Sequence, residues 1–106
     1  MEFVETKLFS KKLPAHLADN EYRELQAYML ENPDAGDIIK GSGGVRKLRW
    51  KVEGRGKRGG VRIIYYLEVA ESRFLMLTLY VKNELEDLTA NEIKLLKKIV
   101  EDWDNA

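Results

Sequence analysis

The sequence predicts an α+β domain, a small and mainly antiparallel sheet with helices packed on one face, in the order β-α-α-β-β-β-α. Three observations lead there. Apolar residues recur at helical spacing in the first third of the chain, three β-branched and aromatic segments follow between Val45 and Lys82, and a capped amphipathic stretch begins at Thr89. With 106 residues there is room for one core, so residues 1–106 are read as a single domain.

Residues 3–9 alternate loosely and predict a first strand. Ser10 then caps a brief helix over residues 11–17, bent or interrupted by Pro14. A second helix is clearer, with Asp19 as its N-cap, Tyr22, Leu25, Met29 and Leu30 at helical spacing, and Asn32-Pro33 as its stop. A turn-rich linker over residues 33–37 leads through Ile38-Ile39 and the flexible Gly41-Ser42-Gly43-Gly44 into the next strand. Over residues 45–52 Leu48, Trp50 and Val52 share one face, while Lys47, Arg49 and Lys51 share the other at intervals of about 7 Å. Residues 53–60, EGRGKRGG, break the periodicity with four glycines and three cations and read as a mobile hairpin loop.

Residues 61–69 place Ile63, Tyr65, Leu67 and Val69 on one face and Arg62, Ile64, Tyr66 and Glu68 on the other. Residues 74–82 are apolar on both faces, as a central strand requires. Thr89-Ala90-Asn91-Glu92 fits a capping box, and Ile93, Leu96, Val100 and Trp103 form the buried stripe of the last helix.

Eighteen basic residues balance eighteen acidic ones, but they are segregated. From residue 40 to residue 62 nine cations face one acid, Glu53, a net charge of +8, and the remainder carries −8. The balance argues against a protein held to nucleic acid by bulk charge, and the segregation argues for one basic surface that grips phosphates. Arg46, Lys47, Arg49, Lys51, Arg55 and Arg58 are its candidate contacts with RNA, and Tyr65, Tyr66 and Tyr80 on neighbouring strands are candidate stacking faces. The open sheet face is expected to carry the ligand.

Several chemistries are excluded. There is no cysteine for a disulfide, a thiolate nucleophile or a thiolate metal site, and GRGKRGG lacks both the Lys-Ser/Thr ending and the following helix of a phosphate-binding loop. The one histidine, His16, reads as an ordinary partly exposed helix residue, and Glu84, Glu86 and Asp87 read as a solvated lead-in to the last helix rather than a metal site. The longest apolar stretch is far too short for a membrane span, and the N-terminus has no signal-peptide layout, so a soluble cytoplasmic protein with no membrane partner is expected. Catalysis, if present, falls to Lys, Arg and Tyr, with no metal or other cofactor. A lysine crowded by like charges becomes a better base, and arginine serves only to stabilise charge.

The stretch 41–88, reading GSGGVRKLRW…GRGKRGGVRIIYYL…LTLYVKNELEDL, resembles the RelE superfamily of bacterial toxins, and in particular its HigB-like branch. A PxxGDxI-type lead-in at Pro33, Gly36 and Asp37, the two early helices and the final helix extend the resemblance over nearly the whole chain. It implies a RelE-like fold and the toxin of a type II toxin–antitoxin pair, cutting mRNA in the ribosomal A site. The implied chemistry is metal-free attack by the 2′-hydroxyl, giving a cyclic phosphate. It further implies a cognate antitoxin, of the helix-turn-helix kind in that branch. Carried onto this sequence, Arg62 would stabilise the scissile phosphate, and Lys82, Lys57 and Tyr66 are the candidates for proton transfer. Two other readings stay open: a noncatalytic RNA- or ribosome-binding module, and an inactive toxin homologue kept for antitoxin binding.

Overall fold

Thr6 ends the first strand, β1 (Glu2–Glu5), sooner than alternation alone suggests. Its hydroxyl accepts the Phe9 N–H at 3.0 Å, so α1 (Lys7–His16) starts right behind it rather than after Ser10. Ser10 instead donates to Glu5 Oε1 at 2.6 Å, and Pro14 lies inside the helix without ending it. In α2 (Asp19–Glu31) Ala18 is the cap and Asp19 the first helical residue, with the Glu21 carboxylate reaching back to the Ala18 N–H at 2.7 Å. The computed structural model describes residues 1–52, 60–82 and 87–105. Its remaining elements are β2 (Asp37–Ile38), β3 (Val45–Trp50), β4 (Val61–Glu68), β5 (Arg73–Val81) and α3 (Ala90–Asp104).

The five strands form one sheet in the order β1-β5-β4-β3-β2. β1 runs parallel to β5 and the other neighbours are antiparallel, so the α+β class and the mainly antiparallel sheet are as predicted. Two-residue β2 is an addition to the predicted order. Ser42, fully buried, closes the turn between β2 and β3 by donating to the Ile39 carbonyl at 2.6 Å and accepting the Val45 N–H at 3.0 Å.

Helices cover both faces of the sheet, not one. On the first face Phe9, Leu25 and Met29 of α1 and α2 pack with Leu48, Ile63, Tyr65, Phe74, Met76 and Leu79. On the second, Leu96 and Val100 of α3 pack with Val45, Ile64, Leu75, Leu77 and Tyr80. The cause is the two-sided apolarity of β4 and β5. An uncovered second face would leave Ile64, Leu75 and Leu77 in water, each worth roughly 1.5–3 kcal/mol when buried. Thr89 caps α3 by accepting the Glu92 N–H at 3.2 Å while the Glu92 carboxylate takes the Thr89 N–H at 2.8 Å, the predicted capping box.

One irregularity sets which residues face which way. Along the β4–β5 ladder Ile64 pairs with Thr78 but Tyr65 pairs with Met76, leaving Leu77 as an extra residue in β5. Before this bulge, Phe74 and Met76 face α1 and α2; after it, Leu79 does, and Tyr80 faces the α3 side. Thr6 holds the bulge, since its hydroxyl donates to the Leu77 carbonyl at 2.7 Å and its N–H to the Met76 carbonyl at 3.0 Å.

Candidate functional site

Lys47 and Arg49 of β3 and Arg62 of β4 meet on the α3 side of the sheet. Arg49 is the ladder partner of Arg62, and Arg62 is the partner of Tyr80, so the three form a row across β3, β4 and β5. Lys47 lies two residues along from Arg49, on the same face. Like charges placed directly opposite one another on a sheet destabilise it unless an anion lies between them.

Burial sharpens that conflict. Arg62 is 5% exposed and Tyr80 1% exposed, and among the described residues neither Arg62 Nη1 nor the Tyr80 hydroxyl has a hydrogen-bond partner. Buried polar groups are almost always paired, so two orphans side by side mark a place built for something else. Burial is the main influence raising the Tyr80 phenol above its ordinary pKa; Asp87 and Glu92 raise it further against the opposing pull of Arg62 and Arg49. It therefore remains a hydrogen-bond donor at neutral pH.

Asp87 supplies the acidic rim. Its carboxylate lies 3.4 Å from Lys47 Nζ and accepts the Leu88 N–H at 2.8 Å, and the second contact contributes most to holding its carboxyl below the usual range. Beside Tyr80 a groove of about 310 Å³ opens between β5 and α3, walled by Leu77, Thr78, Leu88, Glu92 and Leu95. The other end of α3 is pinned away from this row. There the Tyr66 hydroxyl donates to Asp104 at 2.9 Å, and Arg73, paired with Glu68 at 2.6 Å, stacks 4.8 Å above the Trp103 ring.

A family model described as the RelE toxin of the RelE/RelB toxin–antitoxin system matches residues 4–106. The chain belongs to that toxin family. Among solved structures, this RelE-family chain is similar to one in the intact E. coli RelBE toxin–antitoxin complex, with a TM-score of 0.52 and 15% identity over 73% of this chain and 90% of that one. It is also similar to a mutant of E. coli toxin RelE in the free state, with a TM-score of 0.55 and 16% identity over 79% of this chain and 85% of that one. At such identities the likeness is one of fold.

The RelE-family fold brings together only part of the set named from sequence. Arg62, Arg49 and Lys47 share the row and its flank. Lys82 is exposed just past the end of β5, two residues beyond Tyr80. Lys51 lies beyond the end of β3 and borders a recess with Asn20, Glu21 and Glu24 of α2. Arg46 points to the opposite face, where its guanidinium donates to the Asp34 and Gly36 carbonyls at 3.1 and 2.7 Å and braces the connector after α2. Tyr66, two same-face positions along β4 from Arg62, is occupied with Asp104. Lys57, Arg55, Arg58 and the predicted mobile loop lie outside the described residues, as do Glu84 and Glu86.

Tyr65 and Tyr80 are not open stacking faces. Tyr65 is fully buried toward α1 and α2, accepting the Gly36 N–H at 3.0 Å and donating to the Pro33 carbonyl at 2.9 Å, and Tyr80 is buried as well. Gly36 must be glycine for this approach, because a Cβ there would sit 2.9 Å from the Tyr65 ring. His16 is 7% exposed rather than partly exposed, and it belongs to the last turn of α1.

Proposed function

We propose that this RelE-family toxin, of the HigB-like kind, is a ribosome-dependent endoribonuclease that cleaves mRNA in the A site. The observation that carries this reading is the row Arg49–Arg62–Tyr80, in which a buried guanidinium nitrogen has no partner among the described residues while a second arginine faces it. A scissile phosphate between these cations relieves their repulsion and satisfies the orphan. As the 2′-oxygen attacks phosphorus and the 5′-oxygen leaves, negative charge grows on the non-bridging oxygens, and Arg62 stabilises it. Lys47, Arg49, Lys51, Arg55 and Arg58 hold the flanking backbone, and Lys82 and Lys57 are the groups to transfer protons. The product is a 2′,3′-cyclic phosphate and a free 5′-hydroxyl.

The same reading gives the toxin a cognate antitoxin, a helix-turn-helix protein in the HigB-like arrangement, and places both in the cytoplasm. Among the described residues no helix is long and apolar enough to cross a membrane.

The test is controlled expression with mapping of mRNA 5′ ends, comparing the parent with Arg62→Ala and Lys82→Ala. Growth arrest and codon-phased new ends from the parent, lost in folded variants, support the enzyme. Arrest with ribosome association but no new ends indicates a noncatalytic binder. No arrest and no ends from a protein that still binds its antitoxin indicates an inactive homologue.

A further inference from the structure

We propose that the Tyr80 hydroxyl is a catalytic group of this site, donating a hydrogen bond to a non-bridging oxygen of the scissile phosphate beside Arg62. The inference rests on the endoribonuclease reading and adds to it a residue that none of the basic positions supplies.

The argument is geometric. Tyr80 and Arg62 are direct ladder partners on one face, both more than nine-tenths buried, and among the described residues each carries an unpaired polar atom. A phenol buried only for packing is as well served by phenylalanine, and a buried hydroxyl with no acceptor is a defect that natural interiors avoid. A phosphate oxygen accepting from both donors removes both defects together. The bulge at Leu77 is what turns Tyr80 to this face; regular alternation from Phe74 and Met76 would bury it among α1 and α2. The groups facing it are Arg62 from β4, Arg49 from β3, Asp87 from the approach to α3 and Glu92 from α3. The phenol keeps its proton throughout: the bond from the 2′-oxygen to phosphorus forms, the bond to the 5′-oxygen breaks, and Tyr80 only shares its hydrogen with the charge that builds between them.

The experiment measures cleavage of a defined mRNA in programmed ribosomes by the parent and by Tyr80→Phe. The cleaved linkage is an ordinary phosphate or either phosphorothioate diastereomer. The expected result is a slowing of about 100-fold in Tyr80→Phe with the ordinary phosphate. One diastereomer, a poorer acceptor at the oxygen Tyr80 contacts, slows the parent more than it slows the variant. Parental rates in Tyr80→Phe, or a slower variant with unchanged sulfur sensitivity, overturn the proposal while leaving the nuclease standing. No cleavage by the parent overturns the nuclease reading and this inference with it. If Tyr80→Phe fails to fold, replacement of Tyr80 by 3,5-difluorotyrosine, nearly isosteric and more acidic, decides. Cleavage that falls away at lower pH than in the parent supports the hydrogen-bond donor, and a superimposable pH profile overturns it.

Discussion

Lys47 Nζ stands 3.4 Å from Asp87 Oδ1, tying the approach to α3 to the middle of β3. The Asp87 side chain is 67% exposed, so the pair contributes at most about 0.5–1 kcal/mol. It also places a carboxylate where an RNA phosphate would otherwise meet Lys47. Asp87→Asn is expected to leave the melting temperature nearly unchanged and to tighten RNA binding severalfold at low salt. The log–log salt slope should steepen by about 0.7, one phosphate contact on a single strand, read by fluorescence anisotropy. The Asp87 carboxyl is depressed in the fold, so its small contribution is complete above its unfolded value of about 4 and disappears as pH falls through the folded one.

Arg62→Met separates stability from activity. The substitution removes a buried charge with a nitrogen unpaired among the described residues and keeps the apolar stem, so the folded protein should gain about 1 kcal/mol, a rise in melting temperature of roughly 4–8 °C. mRNA cleavage should be lost in the same protein. Calorimetry and 5′-end mapping on one preparation check both halves, and a destabilised variant would remove the case for strain at this position.

Tyr66→Phe should behave in the opposite way. Burial first, and then the Asp104 carboxylate, push the Tyr66 phenol up to about 12, which leaves nothing to titrate near neutral pH. Losing the 2.9 Å bond to Asp104 should cost about 1 kcal/mol in urea unfolding, with cleavage per folded molecule unchanged.

Thr6→Ala takes away two bonds at once, the cap to the Phe9 N–H and the donor to the Leu77 carbonyl. A loss of roughly 1–3 kcal/mol is expected in urea unfolding. Thr6→Ser, which keeps the hydroxyl, should recover most of it.

The legible parts of this protein were those in which local chemistry and global packing agree. Thr89 and Glu92 announced α3, the alternation of Leu48 and Arg49 announced β3, and the apolar run of β5 announced a central strand. The shared face of Lys47 and Arg49 was also readable, since strand parity alone places it, while the pairing that sets Arg62 opposite Arg49 comes only with the register of the sheet. Competition between neighbours hid the rest. Ser10 reads as the cap of the first helix, and it is Thr6, held by the Leu77 carbonyl 71 positions away, that takes the role. Arg46 looked like one more RNA contact, yet the acceptors it serves, Asp34 and Gly36, are brought to it by tertiary folding. Tyr80 was missed as a partner for Arg62 because an uninterrupted period of two puts it on the wrong face.

The extra residue at Leu77 makes the functional face of β5 a matter of counting. Straightening the strand without removing a residue would pair Ile64 with Leu77 and Arg62 with Leu79, bringing Leu79 opposite the arginines and sending Tyr80 inward, whereas deleting Leu77 would leave Tyr80 opposite Arg62. After such a slip in register no residue named in the site would change identity, and Arg62 would nevertheless lose Tyr80 as its ladder partner. In this chain, then, strand register decides which groups meet as much as side-chain type does. A chain with the same number of residues in this strand but no bulge presents a different surface.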